Sequence, residues 1–495
     1  MILFDSLQGD FYASPLLSNI NTLLRILIAL FYYYKYGLLY SIILFYFTVK
    51  IYSSLICYLY DYSNLIGFDL YFINRISKAR YTTGGLFLVD NFDKENLKQA
   101  LINRYFLKFP KTLSTIKMVL GDYYWNTPSI ERLSIKEKLE LVDSHISQTS
   151  MYHKDINKFI NDEINKPLDP FKQCSMIQII ELLDYKHFND SNFKNKGFLF
   201  IKGDHIMTDG LGAISVVGHV DEEFNIKKFP RLMWNNSNKK QVFLFKLIVN
   251  IKAVTLGLFE SLYWYIALKK KYYKGFQNTK KNYQTDISIS RPIELSRIYN
   301  SSKAHKVTIN EICVAAVLST LKKYSKDSEE ISIAIPVSNR GIPSNSDDLI
   351  FGNTTYPISS KIKLISDFNT EKNSFIKELR SMYKKLYLMQ FSKWITAACY
   401  SFLNVYHMKY FQTKGREILI SNIPGQNSTV KLGHNKLVEY KAMNSISIHN
   451  ICVLFTSFNN IFSYCVIKEK SEEFNSEKLS EQIFEELMKI TNNGN

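Results

Sequence analysis

The region between residues 23 and 60 is the most apolar part of the chain. A helix needs about 20 apolar residues to cross a bilayer. Residues 36–60 reach that length if the Lys50 amine extends to the lipid–water boundary, whereas residues 26–34 are too few. The pattern predicts one membrane-inserted helix, or its re-entrant hairpin variant, with a pair of buried soluble helices as the alternative. By the positive-inside rule, the basic residues that follow predict a cytosolic location for the rest of the chain: Arg75, Lys78 and Arg80.

From residue 81 the pattern becomes a mixture of strands and helices. Short apolar runs predict strands at 85–89, 115–120, 175–183, 198–201, 331–337, 417–420, 448–455 and 461–467. Helical spacing of apolar positions predicts helices at 93–104, 310–324, 367–389 and 476–490. Asp93 and Thr308 are the expected N-caps of the first two. A chain of 495 residues exceeds one ordinary core, so we expect two α/β lobes.

A second apolar segment, residues 241–268, follows a polar linker at 235–240. Its polar or small residues recur three or four positions apart and form a narrow stripe on one helical face. Such a helix lies in a membrane interface or packs between two lobes. Three adjacent aromatic residues (Tyr263, Trp264 and Tyr265) and the lysines after them favour the surface of an anionic bilayer.

The chemistry of the chain centres on residues 203–210, between a predicted strand and a predicted helix. His205 would stand on a tight turn, with an acid, Asp209, four residues later and then Gly210. Neutral imidazole accepts a proton near neutral pH because its ordinary pKa is about 6.5. The pattern predicts a positioned general base. Asp209 is expected to orient the loop, and Gly210 to allow a backbone angle or a close approach that a Cβ would forbid.

Composition narrows the function classes. Hydrophobic residues at 46% and aromatic residues at 14% exclude a largely disordered protein. The net charge of +17 favours binding to an anionic membrane surface or to an acidic substrate. The sequence contains no zinc-ligand spacing or RNA-binding signature that would predict nucleic-acid binding. The six cysteines are scattered, so we expect neither a metal site nor a disulfide framework. Serine-hydrolase, zinc-protease and phosphate-loop motifs are absent from the sequence.

Residues 204–210 resemble the HHxxxDG motif of CoA-dependent acyltransferases, with Asp204 in place of the first His. Three further stretches are similar to segments of one branch, the wax ester synthase/acyl-CoA:diacylglycerol acyltransferase family. They are residues 306–311, residues 335–340 followed by Gly352 and Asn353, and residues 420–425. In the first of them, Glu311 occupies the position where the family usually has Asp. The four stretches occur in the order of the family, between about residues 70 and 470.

The resemblance implies an α/β fold of two CoA-dependent-acyltransferase-like sandwich lobes with a tunnel between them, preceded by an N-terminal membrane-inserted helical segment. The expected divisions are 1–69 for the membrane-associated segment, 70–234 for the N-terminal lobe, 235–286 for the linker and interfacial helix, and 287–495 for the C-terminal lobe.

The implied activity is O-acyl transfer from acyl-CoA to a long-chain alcohol or diacylglycerol, giving wax ester or triacylglycerol. His205 would be the general base, with acyl-CoA as co-substrate and no metal or other cofactor. We expect the enzyme on the membrane of the endoplasmic reticulum with its lobes in the cytosol. An acyltransferase for another acceptor, amines included, is one alternative. A catalytically weak lipid-binding or transfer protein on the same fold is the other, because Asp204 and Glu311 depart from the family pattern.

The resemblance also assigns expected roles around His205. Asp204 would influence the orientation of the acceptor. Ser421 and Asn422 would align the acyl carbonyl or stabilise a turn, and Pro424 and Gly425 would close that turn. The remaining expected site residues are Thr308 and Asn310, which contact substrate or cap a helix, and Arg340, which would form a structural ion pair with an acid such as Asp209.

Overall fold

The computed structural model describes residues 15–65, 82–119, 122–185, 195–223, 247–248, 251, 284–324, 329–338, 352–383, 418–445, 451–470 and 475–492. Apart from residues 247–251, the described α-helices are α1 (Pro15–Tyr60), α2 (Lys94–Leu101), α3 (Ile135–Asp143), α4 (Ile156–Ile164), α5 (Gly210–Val220), α6 (Leu295–His305), α7 (Ile309–Tyr324), α8 (Phe368–Tyr383) and α9 (Ser476–Asn492). A π-helical turn, Ile102–Phe106, extends α2, and short 3-10 turns lie at Pro110–Leu113, Ile130–Arg132, His153–Asp155 and Leu183–Tyr185.

The strands are β1 (Ser63–Asn64), β2 (Thr82–Asp90), β3 (Thr115–Val119), β4 (Asp122–Asn126), β5 (Ile146–Met151), β6 (Ser175–Leu182), β7 (Lys196–Asp204), β8 (Thr285–Ile289), β9 (Ile293–Glu294), β10 (Glu330–Ser338), β11 (Thr355–Lys363), β12 (Ile418–Pro424), β13 (Val430–Leu432), β14 (Asn435–Asn444), β15 (Ile451–Phe458) and β16 (Ile461–Glu469).

Within the described residues, these strands form two large sheets and a small one. The first sheet has the order β13-β14-β2-β7-β6-β5, and the second has the order β11-β10-β12-β15-β16-β8, with β9 also paired to β16. The small sheet has the order β1-β4-β3. In the second sheet β10, β12 and β15 run parallel, which explains why β12 and β15 both begin with apolar runs.

Two C-terminal strands belong to the first sheet. β14 pairs antiparallel with β2, so that Tyr440 lies beside Phe87 and their rings stack with centroids 4.6 Å apart. The hydroxyl of Thr456, on β15 of the second sheet, donates to the Tyr440 carbonyl oxygen at 2.9 Å. The sheets therefore do not follow the expected division into residues 70–234 and 287–495, because the chain returns to the first sheet after completing β12.

Asn161 of α4 and Asn165, the residue that caps the C-terminus of α4, bind the edge of the second sheet. Asn161 and Asn165 stand one helical turn apart, and each side-chain amide pairs with the backbone of β8. Asn161 exchanges two hydrogen bonds with Ile287 at 2.8 and 3.0 Å, and Asn165 exchanges two with Thr285 at 2.6 and 2.8 Å. The unpaired edge of β8 is thereby covered, and the two halves are joined.

The start of α7 has a capping box. Glu311 accepts from the Thr308 amide at 2.8 Å, while the Thr308 hydroxyl accepts from the Glu311 amide at 3.1 Å. Arg380 on α8 donates to both carboxylate oxygens at 2.7 and 3.1 Å. The predicted Thr308 cap is therefore present, and the longer side chain of Glu311 is what lets it reach back to residue 308.

We expect Glu311→Ala to lower the free energy of unfolding by about 1–2 kcal/mol, since it removes the Glu311 half of the capping box and leaves the Thr308 amide without its buried acceptor. The half-exposed Arg380 adds little, because solvent screens its charge. Chemical denaturation checks this value. The control is Glu485→Ala on the exposed face of α9, where a change within about 0.5 kcal/mol is expected. Equal effects of the two substitutions would contradict the capping role.

Helix α1 is a hairpin of two antiparallel segments. Gly37 interrupts it with a φ of 76°. The Tyr32 hydroxyl lies 3.0 Å from the Thr48 hydroxyl, and the Arg25 guanidinium lies 5.9 Å from the centre of the Tyr52 ring. A continuous helix would separate residues 25 and 52 by about 40 Å, so the chain must turn back at Gly37. Among the described helices, one stretch, Ile43–Tyr60, is long and apolar enough to cross a membrane by length and composition alone.

Candidate active site

A cavity of about 320 Å³ lies between the two large sheets. Its walls come from β2, β7 and α5 on one side and from β10, β11 and β12 on the other. The turn between β7 and α5, which carries the predicted base His205, forms part of the lining. The strand expected at 198–201 runs on to Asp204 because β7 pairs with β2 as far as Thr82, and this extension delivers His205 to the cavity.

His205 is held by a residue from the second half of the chain, Asn353. The Nδ2 group of Asn353 donates to the carbonyl oxygens of His205 and Ile206 at 2.8 and 2.9 Å. The Oδ1 atom therefore faces the imidazole, 3.1 Å from His205 Nδ1. An amide oxygen only accepts hydrogen bonds, so Nδ1 carries the proton and Nε2 carries the lone pair. This tautomer makes Nε2 the basic atom of the site.

Asn353 contacts His205 directly, and the site prediction omits it. It is 1% exposed and lies 148 residues from His205. The available signal was the Gly352–Asn353 pair, which belongs to one of the family-like stretches. A single sequence contains no information that pairs Asn353 with His205.

Asp209 orients the turn, as expected. Its Oδ1 accepts from the Gly212 amide at 2.8 Å and caps α5. Its Oδ2 accepts from the amides of Thr354 and Thr355 at 2.8 and 3.0 Å and from the Thr355 hydroxyl at 2.8 Å. The buried carboxylate thus ties the turn of the first half to the beginning of β11. Its expected partner, Arg340, lies outside the described residues.

Gly210 allows α5 to approach β12 closely. A Cβ at this position would stand 2.6 Å from the Ile423 Cδ1 atom, a distance at which one of the two must move. The close approach, rather than an unusual backbone angle, is therefore the reason for glycine here. It brings β12 and its polar residues against the start of α5.

Asp204, in place of the first motif His, also lines the cavity. Its Oδ1 accepts from the Ile206 amide at 3.0 Å, a local turn in which the side chain bonds the backbone two residues later. The Asp204 amide donates to the Cys174 carbonyl oxygen at 2.8 Å. An influence of this carboxylate on the acceptor remains a prediction.

Ser421 and Asn422 line the cavity from within β12 rather than from a turn. The strand predicted at 417–420 is present from Ile418 and runs on to Pro424, so the prediction of a turn closed by Pro424 and Gly425 is wrong. Parallel pairing with β15 continues to Pro424, and the Gly425 amide donates to the Ser457 carbonyl oxygen at 2.6 Å. A Cβ at residue 425 would stand 2.5 Å from that oxygen, so this glycine also serves a close approach.

Thr308 and Asn310 are not among the residues that line the cavity. Thr308 caps α7, and the Asn310 amide donates to the Tyr383 hydroxyl at 2.6 Å. The capping alternative is therefore correct for Thr308, and the substrate-contact alternative is not supported for either residue. Within the described residues, no group of three or more His, Cys, Asp or Glu side chains is placed to hold a metal ion.

Among the comparisons with known proteins, the one with solved structures identifies the fold of this chain. No family model matches the chain, and no curated protein matches it. Among solved structures, the wax ester synthase/diacylglycerol acyltransferase from Marinobacter aquaeolei VT8 matches with a TM-score of 0.55 and 14% identity, over 87% of this chain and 100% of that chain. The trichothecene 15-O-acetyltransferase from Fusarium sporotrichioides matches with a TM-score of 0.57 and 13% identity, over 86% and 94%.

A third match is the starter condensation domain of rhizomide synthetase, solved in complex with C8-CoA and Leu-SNAC. It gives a TM-score of 0.53 and 8% identity, over 88% of this chain and 94% of that chain. The chain has the fold of CoA-dependent acyltransferases and condensation domains. The predicted two-lobed α/β architecture is confirmed, and at these identities the likeness is one of fold.

Proposed function

We propose that the protein is an acyl-CoA-dependent O-acyltransferase that transfers a fatty acyl group to a long-chain alcohol or diacylglycerol. The observation that carries the proposal is the His205–Asn353 pair, which presents a basic Nε2 at a cavity between the two halves. The fold shared with the acyltransferases above supports it.

The reaction needs a base and a donor to the developing oxyanion. His205 Nε2 takes the proton of the acceptor hydroxyl as its oxygen attacks the thioester carbonyl carbon. The tetrahedral intermediate then collapses, the C–S bond breaks, and the leaving thiolate takes the proton from the imidazolium. Ester and free CoA result, with no covalent enzyme intermediate. Ser421 and Asn422, on β12, are the candidate donors to the oxyanion.

The proposed classes of acyl donor and acceptor rest on further observations. The named activity of the Marinobacter protein is wax ester and diacylglycerol acyl transfer, and the rhizomide domain was solved with a CoA thioester. The apolar hairpin α1 and the net charge of +17 suit an enzyme whose acceptor is dissolved in a membrane. A cytosolic orientation at the endoplasmic reticulum is part of the proposal.

The test offers labelled palmitoyl-CoA to membranes carrying the protein, with hexadecanol, diacylglycerol and a long-chain amine as competing acceptors. Labelled wax ester or triacylglycerol, absent from His205→Ala membranes, is the expected result and names the acceptor. An amide product would favour the alternative acceptor class instead. Bound or transferred lipid without any acyl transfer, in both proteins, would overturn the proposal in favour of a lipid-binding protein.

A further inference from the structure

Both segments of the α1 hairpin are attached to the small sheet. Arg25 forms an ion pair with Asp122 on β4 and is only 5% exposed. On the second segment, Ile56 packs in one apolar cluster with Val119 and Tyr124 of the small sheet. Both segments are therefore bound to the globular part on one side, and their other sides face outwards.

Among the side chains that the structure describes, exposed apolar ones occur on both segments. On the first they recur at helical spacing and are 51–57% exposed at three positions: Ile20, Leu23 and Leu27. On the second they continue past the level of the small sheet, with Phe47 57%, Ile51 69%, Leu55 51% and Leu59 62% exposed. So much exposed apolar surface in a soluble domain marks an interaction site.

The charges of the hairpin identify what covers this surface. Residues 15–60 contain no Asp or Glu and three basic residues, Arg25, Lys35 and Lys50. The absence of acids makes the hairpin complementary to anionic headgroups. Lys35 stands beside the Gly37 turn, and Lys50 about 20 Å from that turn along its segment. Lys35 therefore lies at the end of the hairpin, whereas Arg25 and Lys50 lie at one level, roughly 18–20 Å from the turn.

This spacing argues against a hairpin that crosses the bilayer. The apolar stretch Ile43–Tyr60 contains Lys50 near its middle, and crossing would place that charge in the hydrocarbon core at a cost of about 2.5–3.5 kcal/mol.

We propose that the hairpin lies along a single leaflet of an anionic bilayer, with its exposed apolar side chains among the acyl chains and its lysines at the phosphates. The globular part then stands on the same face of the membrane throughout, and the Gly37 turn never reaches the far side. This anchor does not depend on the activity proposed above, because no residue of it lines the cavity among the described residues.

The test attaches the dye NBD to a single cysteine, either Tyr34→Cys at the turn or Leu59→Cys at the base, which are 90% and 62% exposed. Both variants also carry Cys57→Ser and Cys399→Ser. Burial raises the thiol pKa of the other cysteines and keeps them unreactive: Cys174, Cys313, Cys452 and Cys465. The full chain is then added to sealed vesicles of phosphatidylcholine and phosphatidylserine.

We expect both dyes to shift their emission to the blue, to be quenched more by shallow than by deep spin-labelled lipids, and to be reduced by external dithionite. A dye at residue 34 that is protected from dithionite until detergent is added would show crossing and overturn the proposal. Dyes that keep the emission wavelength they have in water and are not quenched by spin-labelled lipids would show that the hairpin does not bind the membrane. That result would also overturn the proposal.

Lys50→Gln gives a second, independent readout. A lysine at the phosphate layer contributes to binding, so its loss should weaken partitioning to these vesicles about fivefold. A lysine forced into the hydrocarbon core opposes insertion, so its loss from a crossing helix would strengthen partitioning. Stronger binding by Lys50→Gln would therefore overturn the single-leaflet arrangement, whatever the enzyme's activity proves to be.

Discussion

Replacing His205 by Ala is expected to lower kcat for acyl transfer by about 10²–10⁴-fold, the usual contribution of a general base. The acceptor hydroxyl must lose its proton as it attacks, and Nε2 of His205 can accept it because Nδ1 keeps its own proton in the hydrogen bond to Asn353 Oδ1. Binding of acyl-CoA should be retained, because the substitution removes a side chain and leaves the turn closed by Asp209 intact.

The measurement is single-turnover transfer from labelled acyl-CoA, with acyl-CoA binding measured in parallel. His434→Ala is the matched control, since that histidine is exposed on the turn between β13 and β14, and its activity should equal that of the wild type. Unchanged kcat in His205→Ala would refute the assignment of the base. A folded His205→Ala variant that has lost acyl-CoA binding would instead place His205 in substrate binding.

Local features of the fold were predictable from sequence, because short-range physics determines them. Asp93 caps α2 through a bond to the Asn96 amide, and Thr308 caps α7, at the positions that capping chemistry indicates. Long-range pairings were not predictable. The return of β14 to β2 and the contact of Asn353 with His205 join segments far apart in the chain, and neither leaves a periodicity in the sequence.

The end of β12 illustrates a different limit. Pro424 and Gly425 are typical turn residues, yet the strand continues through Pro424 because parallel pairing with β15 outweighs the local preference. Ser421 and Asn422 consequently reach the cavity from a rigid strand. A strand fixes the positions of hydrogen-bond donors better than a loop does, and fixed donors suit the stabilisation of an oxyanion.

The two departures from the family pattern both have local structural roles. Asp204 closes a turn onto the Ile206 amide, and Glu311 completes a capping box that Arg380 reinforces. Neither role requires a loss of catalysis. These substitutions therefore provide no support for the lipid-binding alternative, which depends on the activity measurement alone.

Asn353→Ala is expected to lower kcat by about 10²-fold with little change in KM for acyl-CoA, because the imidazole loses the acceptor that fixes its tautomer and orientation. The conservative variant Asn353→Asp distinguishes positioning from a merely structural role. A carboxylate still accepts from Nδ1, and its negative charge stabilises the imidazolium, so the acidic limb of the pH–kcat profile should move to higher pH.

The same variant loses the amide group that bonds the carbonyl oxygens of His205 and Ile206, so some loss of stability accompanies the pH shift. Thermal unfolding of both variants separates the two effects. If Asn353 only supported the turn, Asn353→Ala and Asn353→Asp would lose activity in proportion to stability, and the pH profile would keep its wild-type midpoint. That outcome would refute the assignment of Nε2 as the base, since Asn353 is the observed group that gives it the lone pair.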